Sequence, residues 1–218
     1  MRYWTSADYH LGHGNIIKYS NRPFSTPFEM NEAIIAKHNE RVKPEDTFFF
    51  LGDFCFKHSL EDDAIAGGRP TKADEWLSRL NGHKIMIRGN HDNNNSLKTI
   101  IDSMHITYAQ QRINLTHKPE HANPAFPINL VGHVHKAWKI RYFKEHYEII
   151  RKTVMDNADL PSDRQDLREF LVRNKDYKDS DSVLLNVGVD VQNYMPISLD
   201  EALGQIVKFR RGINERDK

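Results

Sequence analysis

IMIRGNHD, the stretch from Ile85 to Asp92, decides the fold of this chain. Its apolar run predicts a buried strand, and open α/β sheets hold their ligands at the carboxyl ends of such strands. The glycine that follows lets the backbone approach a ligand closely. Next to it, an amide oxygen can bind a hard cation and an imidazole can move a proton. The stretch therefore predicts part of a site whose other residues lie elsewhere in the chain.

Five polar clusters each follow a predicted strand. Strands that alternate with helices predict an α/β protein, and the shared position of the clusters predicts a site along one edge of its sheet. Imidazoles and carboxylates are common ligands of divalent metal ions. In chain order the clusters are Asp8-x-His10, Gly52-Asp53, Gly89-Asn90-His91-Asp92, His117 and Gly132-His133-x-His135.

Two of these clusters place their side chains two residues apart. On an extended strand end, such side chains point to the same face, which predicts metal ligation by Asp8 with His10 and by His133 with His135. For an isolated pair, the alternative is an ordinary polar loop. His121 is a rival to His117 as a ligand, because the strand before His117 has a polar beginning.

The segments between the strands are predicted as helices and loops. Residues 26–29 form a capping box with Pro27 at the first helical position, and Pro44 ends that helix. Residues 71–80 and 96–101 are predicted as short helices, and residues 57–70 as a polar surface loop. A final helix is predicted from residue 198 to 209.

The composition is that of an ordinary globular chain. A length of 218 residues fits one domain, 1–218, and a net charge of +1 favours neither nucleic acid nor a membrane surface as a partner. The single cysteine excludes an internal disulfide framework and fits a reducing compartment. No apolar run approaches the roughly 18 residues of a membrane span, and no signal peptide is visible. We expect a cytoplasmic protein that does not bind membranes.

Residues 136–182 break the pattern of short connections. The part from 136 to 152 holds six lysines and arginines against two glutamates, a local net charge of +4, with aromatic residues between them. A helix is predicted around residues 164–172. The segment is interpreted either as a solvated helical excursion or as a lid or partner surface that holds a phosphodiester backbone or a nucleotide base.

The ordered set of clusters resembles the calcineurin-like metallophosphoesterases over nearly the whole chain. His13–Phe24 and Leu185–Asp190 are also similar to stretches of small stand-alone phosphoesterases of bacteria and their viruses. The resemblance implies an αββα sandwich of mixed sheets flanked by helices, with residues 136–182 as a helical insertion before the last core strand. It also implies two metal ions, the first bound by Asp8, His10, Asp53 and His135 and the second by Asp53, Asn90, His117 and His133.

The implied reaction is hydrolysis of a phosphoester by a metal-bridging hydroxide. His91 would serve as general acid toward the leaving oxygen, and Asp92 would orient its ring. Mixed nitrogen and oxygen ligands favour manganese, with iron, zinc, nickel or magnesium possible. Arg22 is the best candidate for binding the substrate phosphate, with His13 and Asn21 beside it. A structural salt bridge is the alternative role of Arg22.

The expected substrate is a phosphodiester. Phosphomonoesterase or nuclease activity on the same core is the alternative, which leaves a nucleotide or nucleic acid possible as substrate. An alternative of another class is a non-catalytic scaffold that keeps the fold to bind proteins. Such relatives lose ligands or the acid histidine, whereas every expected position is filled here. The natural substrate and the oligomeric state stay open.

Overall fold

The computed structural model describes residues 1–56, 72–92, 97–156 and 165–212. All of the predicted polar loop at 57–70 and part of the helix predicted at 96–101 lie outside these ranges. Within them, no helix is both long and apolar enough to cross a membrane.

Two mixed sheets form the centre of the molecule. The first has the strand order β3-β2-β1-β9, and the second has the order β4-β5-β6-β8-β7. The strands are β1 Tyr3–Ser6, β2 Thr47–Leu51, β3 His83–Ile87, β4 Ser103–Tyr108, β5 Gln111–Thr116, β6 Ile128–Val131, β7 Ile140–Tyr142, β8 Val183–Asn186 and β9 Ile197–Ser198.

Parallel strands occupy the middle of both sheets. β1, β2 and β3 run parallel, with β9 antiparallel to β1. β5, β6 and β8 run parallel between the antiparallel edge strands β4 and β7. A bridge from Ala7 to Gly188 joins the end of β1 to the segment after β8. Strand ends from both sheets therefore meet at one edge of the sandwich.

Helices flank the two sheets. They are α1 Asn15–Tyr19, α2 Pro27–Arg41, α3 Ala73–Ser78, α4 Phe143–Asp156, α5 Gln165–Asn174 and α6 Leu199–Arg210. The start of α2 is as predicted: Pro27 is its first residue, and the Thr26 hydroxyl accepts a hydrogen bond of 3.1 Å from the backbone N–H of Glu29.

Three apolar clusters separate four layers. One, which includes Met30, Ile34 and Trp76, lies between the first sheet and α2 and α3. The second lies between the sheets and is closed at the side by α6. The third lies between the second sheet and α4 and α5. The predicted αββα sandwich of mixed sheets flanked by helices is confirmed.

The segment 136–182 supplies the outer helical layer of the second sheet. Its strand β7 extends that sheet, and α4 and α5 bury Phe143 and Phe170 against Leu184. The rings of Phe143 and Phe170 lie 5.5 Å apart. The described part of the expected lid or surface excursion is thus a packed layer of the sandwich.

The structure contradicts one local prediction and adds a strand that was not predicted. Residues 97–100 have no regular structure and Ile101 pairs with Ile87, so the helix predicted at 96–101 is wrong over its described part. β4 was not predicted, although its sequence alternates in the way a half-covered strand requires. Met104, Ile106 and Tyr108 pack against the core, while the residues between them are exposed.

Candidate metal centre

Two groups of metal-binding side chains lie where the strand ends meet. Within each group, one potential ligand atom from every residue lies within 4.8 Å of the others. The first cluster is Asp8, His10 and His135, and the second cluster is Asp53, His117 and His133.

Asp53 reaches both clusters. Its Oδ2 lies 3.5 Å from Nε2 of His10 and 3.3 Å from Nε2 of His117. Asn90 joins the second cluster, with its Oδ1 3.0 Å from the same His117 nitrogen. Asp53 therefore occupies the position that a carboxylate shared by two cations requires. His121 belongs to neither cluster, so His117 is the histidine that faces Asp53.

Left-handed backbone aims these side chains. The φ angles are 60° at Asp8, 51° at His10, 60° at Asp53, 71° at His133 and 45° at His135. Each such non-glycine residue costs of order 1–3 kcal/mol. The assumption that the two-apart pairs lie on extended strand is therefore wrong. The turn instead sends His133 to the second cluster and His135 to the first.

Hydrogen bonds between the strand-end loops offset this strain. The backbone N–H of Asp8 donates to the Gly52 carbonyl, and that of His10 donates to the Asp53 carbonyl, both at 3.0 Å. The Asp8 carboxylate accepts from the backbone N–H of His133, also at 3.0 Å. The candidate ligands are thus held in place by one another's backbone.

Gly89 and Asp92 hold the β3 end against the β2 end. A Cβ at residue 89 would lie 2.2 Å from Oδ1 of Asp53, so only glycine fits there. The Asp92 carboxylate accepts hydrogen bonds from the backbone N–H groups of Asp53, Phe54 and Gly89, at 2.8, 3.0 and 2.8 Å. Asp92 was predicted to orient the His91 ring, but these contacts make it a clamp between two loops.

Outer partners orient two of the histidines. Nδ1 of His117 donates to the Leu51 carbonyl at 2.7 Å, and Nδ1 of His135 lies 2.8 Å from Oδ2 of Asp190. Each contact leaves Nε2 to face its cluster. The role of Asp190 was missed. The only sequence signal was its place at the end of the stretch Leu185–Asp190.

The prediction that Arg22 binds the substrate is wrong. Its side chain is fully buried and forms an ion pair with Asp190 at 2.9 Å. The same guanidinium donates to the carbonyls of Asp8 and Tyr9, at 2.7 and 3.0 Å. Arg22 therefore has the alternative role of a structural salt bridge, and it fixes the carboxylate that orients His135.

Ionisation differs between the two carboxylates of the clusters. Burial raises the pKa of Asp8 to about 6, and the charges of His117 and His135 offset only part of this effect. Burial also opposes ionisation of Asp53, but the hydrogen bond and charge of His117 outweigh it and hold its pKa well below the usual range. Asp53 is thus a stable negative charge between the clusters.

The cluster histidines also differ in charge. Burial lowers the pKa of His10 and His133, to about 4 for His133, so both are in the neutral form that binds metals. Burial acts in the same direction on His117, but Asp53 outweighs it and raises the pKa of His117 to about 9. A divalent cation would replace that proton, because it supplies the positive charge that Asp53 favours.

His91 lies at the open mouth of this centre. Its side chain is 47% exposed, and its Nε2 lies 4.0 Å from Oδ2 of Asp53. Its backbone N–H donates to Oδ1 of Asp53 at 2.9 Å, which fixes the loop. The ring lies 5.4 Å from that of His10.

Two clefts open beside the clusters. The first cleft, about 510 Å³, is lined by His91 and His135 together with the predicted substrate contacts His13 and Asn21. The second cleft, about 430 Å³, adjoins the other cluster and is lined by Arg88, Asn90, His117, Lys118 and His121. His13 and Asn21 therefore line the cleft beside His91, whereas Arg22 does not.

The residues present fit two divalent cations. Nε2 of His10 is buried and has no hydrogen-bond partner among the described residues, although it faces Asp53. Imidazoles, carboxylates and one amide form the mixed nitrogen and oxygen set that divalent transition metals take.

Comparison with known proteins places the chain beside an archaeal protein. No family model matches the chain. It is 31% identical over 211 residues to "Uncharacterized protein MJ1445" of Methanocaldococcus jannaschii, across 96% of this chain and 94% of that protein. The chain belongs to the family of this archaeal protein.

A solved structure from Aquifex aeolicus shares the fold of this chain. A protein of unknown function from Aquifex aeolicus, AQ665, superposes with a TM-score of 0.56 at 22% identity, across 94% of this chain and 98% of that one. The nuclease MPE of Pseudomonas putida has a TM-score of 0.41 at 24% identity, across 62% of each chain. The likeness to AQ665 covers nearly the whole length of both chains.

Proposed function

We propose that this protein hydrolyses phosphoesters with two divalent metal ions. One observation carries the proposal: two clusters of potential metal ligands share Asp53, and the exposed His91 lies beside it and lines the first cleft. Paired ions of this kind polarise phosphoryl oxygens and lower the pKa of water. The resemblance of the ordered motifs to calcineurin-like metallophosphoesterases supports the same reaction.

The proposed ligands follow the two clusters. Asp8, His10, Asp53 and His135 would hold the first ion, and Asp53, Asn90, His117 and His133 the second. A carboxylate is suited to the shared position because it has two oxygens and a negative charge. The donor set supports manganese as the favoured metal, with iron, zinc, nickel or magnesium as alternatives.

His91 would donate a proton to the leaving oxygen. Its ring is exposed to the substrate side, while its backbone is fixed to Asp53. Proton transfer by a positioned side chain contributes about 10²- to 10⁴-fold to a rate. Asp92 would act indirectly, because it clamps the loop that carries His91.

The two clefts support a diester over a monoester. A phosphodiester has two ester substituents, and the clefts offer room on the His91 side and on the Asn90 side of the clusters. A phosphomonoesterase would need only one of them. The basic segment at 136–152 gives little support to nuclease activity. Two of its cations, Lys144 and Arg151, are already paired with Asp181 and Glu148 and are less available to bind phosphates.

Hydrolysis of bis-p-nitrophenyl phosphate and p-nitrophenyl phosphate tests the proposal. With Mn²⁺ we expect a higher kcat/KM on the diester and two metal ions per chain by elemental analysis. His91→Ala should lower kcat by at least tenfold at unchanged metal content. The effect falls at the low end of the general-acid range because nitrophenolate leaves readily. His83→Ala is the matched control, since His83 is exposed at the opposite end of β3.

Three outcomes would contradict parts of the proposal. Unchanged turnover by His91→Ala would remove its role as proton donor. Faster hydrolysis of the monoester would favour the phosphatase alternative. Two bound metal ions without turnover of either ester would favour the non-catalytic scaffold.

A further inference from the structure

We infer that the first cleft binds the base of a nucleoside, so that the substrates are phosphodiesters with a nucleoside as the leaving alcohol. The inference rests on the proposed function, because His91 would protonate the leaving oxygen and His91 lines this cleft. The leaving group must then enter the first cleft and not the second.

Aromatic rings form one wall of the first cleft. Tyr19, at the end of α1, has 76% of its surface exposed and lies 6.4 Å from the His13 ring. His13 stacks on Phe56 with ring centroids 4.4 Å apart and planes 11° apart, which fixes the His13 ring. An exposed tyrosine beside a fixed flat ring offers the faces on which bases stack.

The rest of the cleft matches a nucleoside in size and polarity. Its volume of about 510 Å³ lies within the range of small-molecule sites, and Ile16, Val134 and Ala137 give it an apolar interior. Asn21 and Lys136 lie at the rim, where the Lys136 ammonium donates to the Asn21 carbonyl. This contact holds the α1 side of the cleft to the 132–137 loop.

The distance to the reacting centre also fits. The His13 ring lies 6.4 Å from the His91 ring and 5.6 Å from the ring of His10, which belongs to the first cluster. A sugar would span the gap between a phosphate at the clusters and a base at Tyr19. The second cleft has no aromatic side chain besides histidine among its lining residues.

Direct binding to the full-length, Mn²⁺-loaded protein tests the inference. Adenosine 5′-monophosphate and ribose 5-phosphate carry the same phosphate and sugar, so calorimetric titration of both isolates the base. We expect the nucleotide to bind about tenfold more tightly or better, the range for one stacked base. Tyr19→Ala should bind the nucleotide and ribose 5-phosphate equally well, and Tyr19→Phe should keep the preference for the nucleotide. Tyr177→Ala, which removes an exposed tyrosine from the segment after α5, should leave it unchanged.

Binding and hydrolysis separate the two proposals. Equal affinities in the unmodified protein would overturn the inference even if bis-p-nitrophenyl phosphate is hydrolysed. A preference for the nucleotide that survives Tyr19→Ala would also overturn it, because the base would then lie elsewhere. If Tyr19→Ala loses the preference but the unmodified protein hydrolyses neither ester, the first cleft binds the base and the proposed function is overturned.

Discussion

At the scale of single residues, the centre depends on a chain of three side chains. Arg22 neutralises Asp190, and Asp190 accepts from Nδ1 of His135. The sequence offered Arg22 as a substrate contact or a salt bridge, and the partner 168 residues away decided between them. A carboxylate behind a ligand histidine fixes its ring and raises its basicity.

Asp190→Asn tests this series of contacts from Arg22 through Asp190 to His135. The variant removes the charge behind His135, so we expect affinity for the ion in the first cluster to fall about 10- to 100-fold. The ion in the second cluster should be affected less, because His117 is oriented by the Leu51 carbonyl. Chelator competition with Mn²⁺ would measure both affinities, and Asp181→Asn is the exposed control. Equal affinities for unmodified protein and Asp190→Asn would exclude the orienting role.

At the scale of elements, local sequence signals predicted the start of helix α2 correctly but missed the edge strands of the second sheet. The Thr26 cap and Pro27 defined the start of α2, because capping involves only neighbouring residues. The edge strands β4 and β7 were missed, since short edge strands take much of their stability from a partner strand. Helix α4, in the outer layer of the second sheet, contains the buried histidine His146.

His146 is expected to make this helical layer sensitive to acid. Both its ring nitrogens are buried without a hydrogen-bond partner among the described residues. Burial, with a smaller effect of Arg141, lowers its pKa from 6.5 to about 3. Below pH 6.5 the unfolded chain binds a proton that the folded chain does not. Stability is therefore lost as the pH falls from 6.5 toward 3, by up to about 1.4 kcal/mol per pH unit.

His146→Phe should remove this loss, because phenylalanine fits among Trp138 and Phe170. Urea unfolding of metal-free protein would measure it. Relative to the unmodified protein, the variant should gain about 2 kcal/mol between pH 7.5 and pH 5. His83→Phe, at an exposed histidine, should gain little. The same pH dependence for His146→Phe and unmodified protein would contradict the pKa assignment.

At the scale of the whole molecule, the centre joins the two sheets. The first cluster draws on the ends of β1 and β6, and the second on the ends of β2, β5 and β6. Ions shared by these loops would hold both sheets together and stabilise the left-handed backbone at five ligand positions. Metal binding and global stability should therefore be coupled.

Removal of the ions should destabilise the fold. An ion that binds only the folded chain adds about 2.7 kcal/mol when its concentration is 100 times its Kd. We expect the urea midpoint to fall when Mn²⁺ is replaced by a chelator. In Asp53→Asn the urea midpoint should differ less between Mn²⁺ and chelator, because an amide binds the two ions more weakly than the shared carboxylate. Identical midpoints with metal and with chelator would show that folding and ion binding are not coupled.

The sequence by itself determined the parallel strands β1, β2, β3, β5, β6 and β8 and the residue types at each strand end. Periodicity, caps and glycines are local, and they placed Asp8, Asp53, Asn90, His117 and His133 along one edge of an α/β sheet, while the sandwich was implied by the family resemblance. Only the tertiary structure decided the left-handed turns that aim the ligands, the roles of Arg22 and Asp92, and the walls of the first cleft. Those features depend on left-handed turns and on contacts between residues far apart in the chain, such as His135 and Asp190.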